Sequence, residues 1–132
     1  MDMGARVLIV EDEIIVALFL EDLLAEIGCE VAGVVSHLDD AMAHAPDYDV
    51  AVLDVHINGR PVFDFADMLA ARGTPFVFAT GYGARGIPDR HSGRPVLQKP
   101  FQPDELKWIL SQLLDRSAGK PSPWPQTASP GG

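Results

Sequence analysis

Polar side chains that could act together stand where four apolar runs stop. Arg6-Val7-Leu8-Ile9-Val10 runs into Glu11-Asp12-Glu13, and Val50-Ala51-Val52-Leu53 ends on Asp54. Phe76-Val77-Phe78-Ala79 ends on Thr80, and the run from Pro95 to Gln98 is closed by Lys99-Pro100. Glu11, Asp12 and Asp54 brought together would repel, a cost that a bound cation removes. Hard oxygen donors without a His or Cys cluster point to Mg2+, which takes one or two carboxylates and keeps several waters. An ammonium and a hydroxyl beside such an ion are what phosphoryl oxygens need, a task for Lys99 and Thr80. Asp54 is then the nucleophile, because a carboxylate can attack phosphorus to give an acyl phosphate. Each part has a bland alternative: acids at a helix start suit the macrodipole, and a strand-end Asp caps turns. Four such endings in succession are hard to explain as coincidence.

Unalternated apolar runs read as strands buried on both faces, the mark of a parallel sheet. Its carboxyl edge is where open α/β sheets place ligands. The runs therefore predict strands over Val7–Val10, Glu30–Val35, Val50–Asp54, Phe76–Ala79 and Pro95–Gln98. Between them, Glu11-Asp12-Glu13 should open a helix reaching Ile27, with Gly28 past its end. Ser36 and Asp39 resemble a capping box for a helix over Leu38–Ala45, and Pro61 suits the first position of a helix reaching Arg72. Leu106, Ile109, Leu110, Leu113 and Leu114 give a last helix, begun by Gln102 and Pro103, its core face. From Gly81 to Arg94 periodicity is lost, so any helix there should be short or mobile. No connection reads as a hairpin, and the β-α alternation implies helices on both faces of a doubly wound five-stranded parallel sheet.

The net charge of −9 argues against nucleic acid or an anionic membrane surface as partner. The longest apolar run, Ile14 to Leu20, is far short of a membrane span, and no signal peptide is visible. The single cysteine, Cys29, fits a reducing cytoplasm and a small buried hydrophobe. Residues 5–116 form the expected domain. Residues 117–132, with four prolines and the lone aromatic Trp124, are expected as a disordered tail with a docking point at most.

At Glu11-Asp12, Asp54, Thr80 and Lys99-Pro100-Phe101 the chain resembles the receiver domain of bacterial two-component response regulators, over residues 5 to about 116. Phe78-Ala79-Thr80-Gly81 and Leu97-Gln98-Lys99-Pro100-Phe101 resemble the FAT GUY subfamily of receivers. The resemblance implies a flavodoxin-like (βα)5 fold, with Asp12 and Asp54 binding Mg2+ directly, Glu11 through water, and the His56 carbonyl completing the protein ligands. It implies that Thr80 and Lys99 contact phosphoryl oxygens and that the Lys99-Pro100 bond is cis. Asp54 would accept a phosphoryl group from a histidine kinase or histidine phosphotransfer protein in a phosphorelay. Such a protein is no enzyme beyond self-phosphorylation from small donors and self-dephosphorylation. With no effector domain in view, output is expected through contact with a downstream protein or as a phosphate sink.

Three departures stand out. Val96 replaces the aromatic that many receivers carry three residues before the lysine, Gly83 stands where the subfamily signature has Tyr, and the stretch from Thr80 to Lys99 is short for a full helix. Two other readings remain open. His56, two residues past Asp54, could be a general acid in a haloacid-dehalogenase-like phosphatase, or the pocket could be that of a pseudo-receiver serving only for binding.

Overall fold

In the computed structural model, which describes residues 4–81, 83 and 85–117, strands and helices alternate from the start. β1 (Arg6–Val10) leads into α1 (Ile14–Glu26), and β2 (Glu30–Val35) into α2 (Leu38–Ala43). β3 (Val50–Asp54) is followed by two short strands, β4 (His56–Ile57) and β5 (Arg60–Pro61), and by α3 (Phe63–Arg72). After β6 (Phe76–Thr80) comes a single 3-10 turn at Asp89–His91, then β7 (Val96–Gln98) and α4 (Pro103–Ser117). The five long strands form one sheet in the order β2-β1-β3-β6-β7, and every pairing is parallel. This is the doubly wound flavodoxin-like order, whose site lies where the strand order reverses.

Strand alternation sends successive side chains to opposite faces. Val7, Ile9, Val50, Val52, Val77 and Ala79 pack under α1 and α4, against Leu20, Leu24, Leu106 and Leu110. Leu8, Val10, Ala51, Leu53, Phe76 and Phe78 face the other way, onto α2 and α3, against Leu38, Phe65 and Leu69. Each fully buried Leu or Phe contributes roughly 2–3 kcal/mol, so two cores clamp the central strands and hold their ends in fixed register. Cys29 lies buried in the first core, as a small hydrophobe would, and burial pushes its thiol above the ordinary range.

Several local expectations need correction. α1 begins at Ile14 and not at Glu11; Glu13 is its N-cap and makes no side-chain capping bond. α2 is capped by His37, also without a side-chain bond, and Ser36 Oγ hydrogen-bonds His37 Nδ1 instead of forming a capping box. Pro61 lies in β5, one residue before the Val62 N-cap of α3. β4 and β5 form an antiparallel hairpin where none was expected. Between β6 and β7 the described residues hold no α-helix, only the 3-10 turn, so the (βα)5 pattern lacks one helix. The expected tail beyond Ser117, with Trp124, lies outside the described residues, as does Tyr82.

That 3-10 turn carries much of the packing a helix would have supplied. His91 is only 3% exposed. Its ring centroid lies 6.2 Å from that of Phe63, 5.8 Å from Phe76 and 5.7 Å from Phe78. Its Nε2–H donates to Asp67 Oδ1 on α3 at 2.8 Å, and Arg90 holds both oxygens of the same carboxylate. Part of the stretch expected to be mobile is thus pinned to α3 and the sheet.

Candidate functional site

Register decides which polar strand ends meet. Val10 pairs with Leu53 and Asp54 with Ala79, so Glu11 and Asp54 leave adjacent strands side by side, and Thr80 follows one residue beyond Asp54's partner. Thr80 in turn pairs with Gln98, and Lys99 N–H donates to the Thr80 carbonyl at 2.9 Å. All four endings read from the sequence lie along one edge of the sheet. The Lys99-Pro100 bond is cis.

Carboxylate oxygens of Glu11, Asp12, Glu13 and Asp54 come within 4.8 Å of one another. Among the described residues, one ammonium stands beside them: Lys99 Nζ lies 3.2 Å from Glu11 Oε2 and 3.6 Å from Asp54 Oδ2. Four acids against one base leave a surplus of negative charge. The Glu11 carboxyl is raised to about 7, first by burial and only then by a shared hydrogen bond with Asp54 and the charge of Asp54. The Glu13 N–H, 3.1 Å from Glu11 Oε1, and the Lys99 ammonium pull the other way without prevailing. The donor set consists of hard oxygens, with no thiolate or imidazole in the group, which fits Mg2+ and suits softer metals poorly.

Thr80 is buried at its strand end. The His56 side chain is exposed and joins no cluster. Val62 N–H donates to the Val55 carbonyl at 2.9 Å, so alternation along the hairpin sets the His56–Pro61 pair in the non-hydrogen-bonded position. Strand β5 therefore makes no claim on the His56 carbonyl, and Pro61 has no N–H to waste there.

Two contributors went unread in the sequence as site residues. Glu13 was assigned to the helix start, and the acidic run itself was the available signal. Asn58 donates its backbone N–H to Asp12 Oδ2 at 2.7 Å and its side-chain Nδ2–H to the Ser36 carbonyl at 2.7 Å. The signal for it was Asn58-Gly59, the dipeptide that most favours a two-residue hairpin turn.

Beside the acids, α1 turns an apolar face outward: Ile14 is 72% exposed, Ile15 77% and Leu18 53%. Phe19 stacks on Phe101, just past the Lys99-Pro100 bond, with ring centroids 6.3 Å apart.

No family model matches the chain. Its structure resembles that of SdrG from Sphingomonas melonis Fr1, at 40% identity and a TM-score of 0.76, over 86% of this chain and 99% of that one. The REC domain of the Erythrobacter litoralis PhyR response regulator is 27% identical, with a TM-score of 0.73, over 85% of this chain and 91% of that one. The phyllosphere-induced regulator PhyR of Methylorubrum extorquens is 30% identical across 119 residues, covering 86% of this chain and 45% of its own length. The chain spans about half the length of the curated relatives it matches.

Proposed function

Because the chain belongs to the response-regulator receiver family, we propose that residues 5–116 accept a phosphoryl group on Asp54 from a histidine kinase or histidine phosphotransfer protein. One observation carries the reading: four carboxylates gather within 4.8 Å of one another at the switch point of the sheet, with the Lys99 ammonium against Glu11 and Asp54. In the transfer, an Asp54 oxygen attacks phosphorus, the bond from phosphorus to the donor imidazole nitrogen breaks, and the leaving imidazole takes its electron pair. Lys99, already 3.6 Å from Asp54 Oδ2, follows the charge onto the phosphoryl oxygens, and the Thr80 hydroxyl donates to another of them. Removing one such donor from developing charge typically costs about 10²–10³ in rate.

Asp12 and Asp54 would hold Mg2+ directly, Glu11 through water, with the His56 carbonyl as the main-chain ligand. When bound, the ion neutralises the acids and draws charge from the phosphoryl oxygens. The exposed apolar face of α1 next to Asp54 supports docking of a donor helix by the same face-to-groove packing that joins helices elsewhere. Output then passes to a downstream protein, or the chain acts as a phosphate sink in a relay. The single cysteine suits such a protein in the cytoplasm. Among the described residues, no helix is long and apolar enough to cross a membrane.

Incubation with a small phosphodonor and Mg2+, read by intact mass, tests the proposal. A gain of about 80 Da, one phosphoryl group on a carboxylate, is expected in the wild type and not in Asp54→Asn. Turnover of donor without an adduct would instead indicate a haloacid-dehalogenase-like phosphatase, and inertness a pseudo-receiver.

A further inference from the structure

At the amino edge of the sheet, away from the acidic site, lies a cavity of about 540 Å3, within the roughly 300–1,000 Å3 of ordinary ligand clefts. Pro75 and Pro95, the residues just before β6 and β7, line it together with Arg90, Ser92 and Arg94 from the 3-10 turn and its exit, and with Leu113 of α4. The Arg94 guanidinium lies 4.6 Å from the centroid of the buried Phe76 ring, while Arg94 itself is exposed. Phe76 thus takes one face of a planar cation and leaves the other turned outward, and such a face attracts an aromatic ring.

The chain carries a segment that matches. Leu113 is in the cavity wall, and Ser117, the last described residue, lies one turn farther along α4, about 6 Å on. Seven residues beyond Ser117 is Trp124, within Lys120-Pro121-Ser122-Pro123-Trp124-Pro125. Prolines alternate through that run, so φ is fixed at every second residue and the α region is disfavoured for each residue between. A segment restricted in this way loses less entropy when it docks. Seven residues at about 3.1 Å each span roughly 22 Å, ample for Trp124 to turn back past Leu113.

We propose that residues 118–125 fold back and seat Trp124 in this cavity, the indole on the outward face of Arg94 and the flanking prolines against Pro75 and Pro95. The occupant is the chain's own segment because a short tether supplies an effective concentration in the millimolar range, so a weak contact suffices. Docking ties the end of α4 to the 3-10 turn, the stretch without an α-helix among the described residues. It is independent of the phosphoryl and metal readings.

The test uses the 13C,15N-labelled full chain. NOEs are expected from the Trp124 indole to the side chains of Arg94 and Pro95. Trp124→Ala, which also tells that indole from Trp108, should abolish them and shift the Thr74, Ser92, Gly93 and Arg94 amides, with those of Asp12 and Asp54 unmoved. Arg94→Lys keeps the charge and gives up the plane, so it should release the indole while the remaining amides keep their dispersion. The wild-type shifts should hold over roughly a 100-fold range of protein concentration, as for any tethered contact. Shifts that grow with concentration would put a second copy's Trp124 in the cavity and overturn the intramolecular contact. Trp124→Ala changes confined to residues 118–132, with no NOE from the indole to the domain, would overturn the inference altogether.

Discussion

Two carboxylate clusters in this domain use the same chemistry to opposite ends. At the carboxyl edge of the sheet, Glu11, Asp12, Glu13 and Asp54 gather within 4.8 Å of one another, with the Lys99 ammonium against Glu11 and Asp54. On α3, Asp67 meets two donor groups, the Arg90 guanidinium and the His91 imidazole. The hydrogen bond from Arg90, reinforced by that from His91, holds the Asp67 carboxyl below its usual range, while burial among like charges lifts that of Glu11 to about 7. A carboxylate with matched donors fastens one element to another. Carboxylates in excess store repulsion that a ligand relieves, and that imbalance marks a binding site.

The largest stability effect should come from the matched cluster, because it plugs the core. His91→Ala removes a ring packed among Phe63, Phe76 and Phe78 and deprives the short turn of its anchor. Loss of an aromatic-sized core side chain typically costs about 3–5 kcal/mol, which lowers Tm by roughly 10–20 °C for a domain of this size. A melt within a few degrees of wild type would mean that the ring is an ornament on α3 and that other contacts close the sheet there.

The acidic edge should answer to pH, in the opposite sense from Asp67. Glu11 is easier to protonate in the fold, at about 7, than at the ordinary glutamate value of 4.5. Its stabilising contribution is therefore fully present below pH 4.5 and is lost as pH rises through 7. The metal-free protein should lose up to ~3 kcal/mol over that span. Asp67, with its lowered value, contributes stability above the ordinary aspartate range, which is lost as pH falls through its lowered value, so the window from 4.5 to 8 isolates the acidic edge. Denaturant melts across this window should slope downward in wild type, flatten in Glu11→Gln, and regain the loss at pH 8 with saturating Mg2+. A metal-free profile that rises with pH would reverse the contrast between the clusters.

How much of this could be read beforehand follows from the range of the interactions. Strand ends were legible because each is a local event, an apolar run stopped by a polar residue, and parallel register then aligns Glu11, Asp54, Thr80 and Lys99 without further information. Pro61 misled because its missing N–H is equally harmless at a helix start and opposite His56 in the hairpin, and the sequence does not distinguish these settings. The acids at 11–13 misled in a similar way: they suit a helix dipole, yet Glu11 and Asp12 precede α1 and serve the edge. Asn58-Gly59 is a local hairpin-turn signal, but the two-residue strands it joins are too short to show a pattern of their own. His91 was not readable at all. Its acceptor, Asp67, lies 24 positions away, and its aromatic neighbours are on α3 and β6, so nothing near it in sequence announces a buried imidazole.

The smallest expected effect separates the two donors of the matched cluster. Arg90 and Asp67 are about half exposed, so solvent screens their ion pair and little stability is expected from it. His91 is buried, so losing the acceptor for its Nε2–H would leave a donor unsatisfied, at about 1–3 kcal/mol. Its Nδ1 already has no partner. Asp67→Asn keeps an amide oxygen for His91 but gives up the charge and the second oxygen that accepts from Arg90, so about 1 kcal/mol is expected. Asp67→Ala strands the imidazole and should cost more, whereas Arg90→Ala should cost less than either. Urea melts of the three variants at low and high salt give the order. If Arg90→Ala proves the most damaging and salt abolishes its effect, the cluster is a surface ion pair that happens to touch His91, and the fastening of the turn lies in the phenylalanine rings alone.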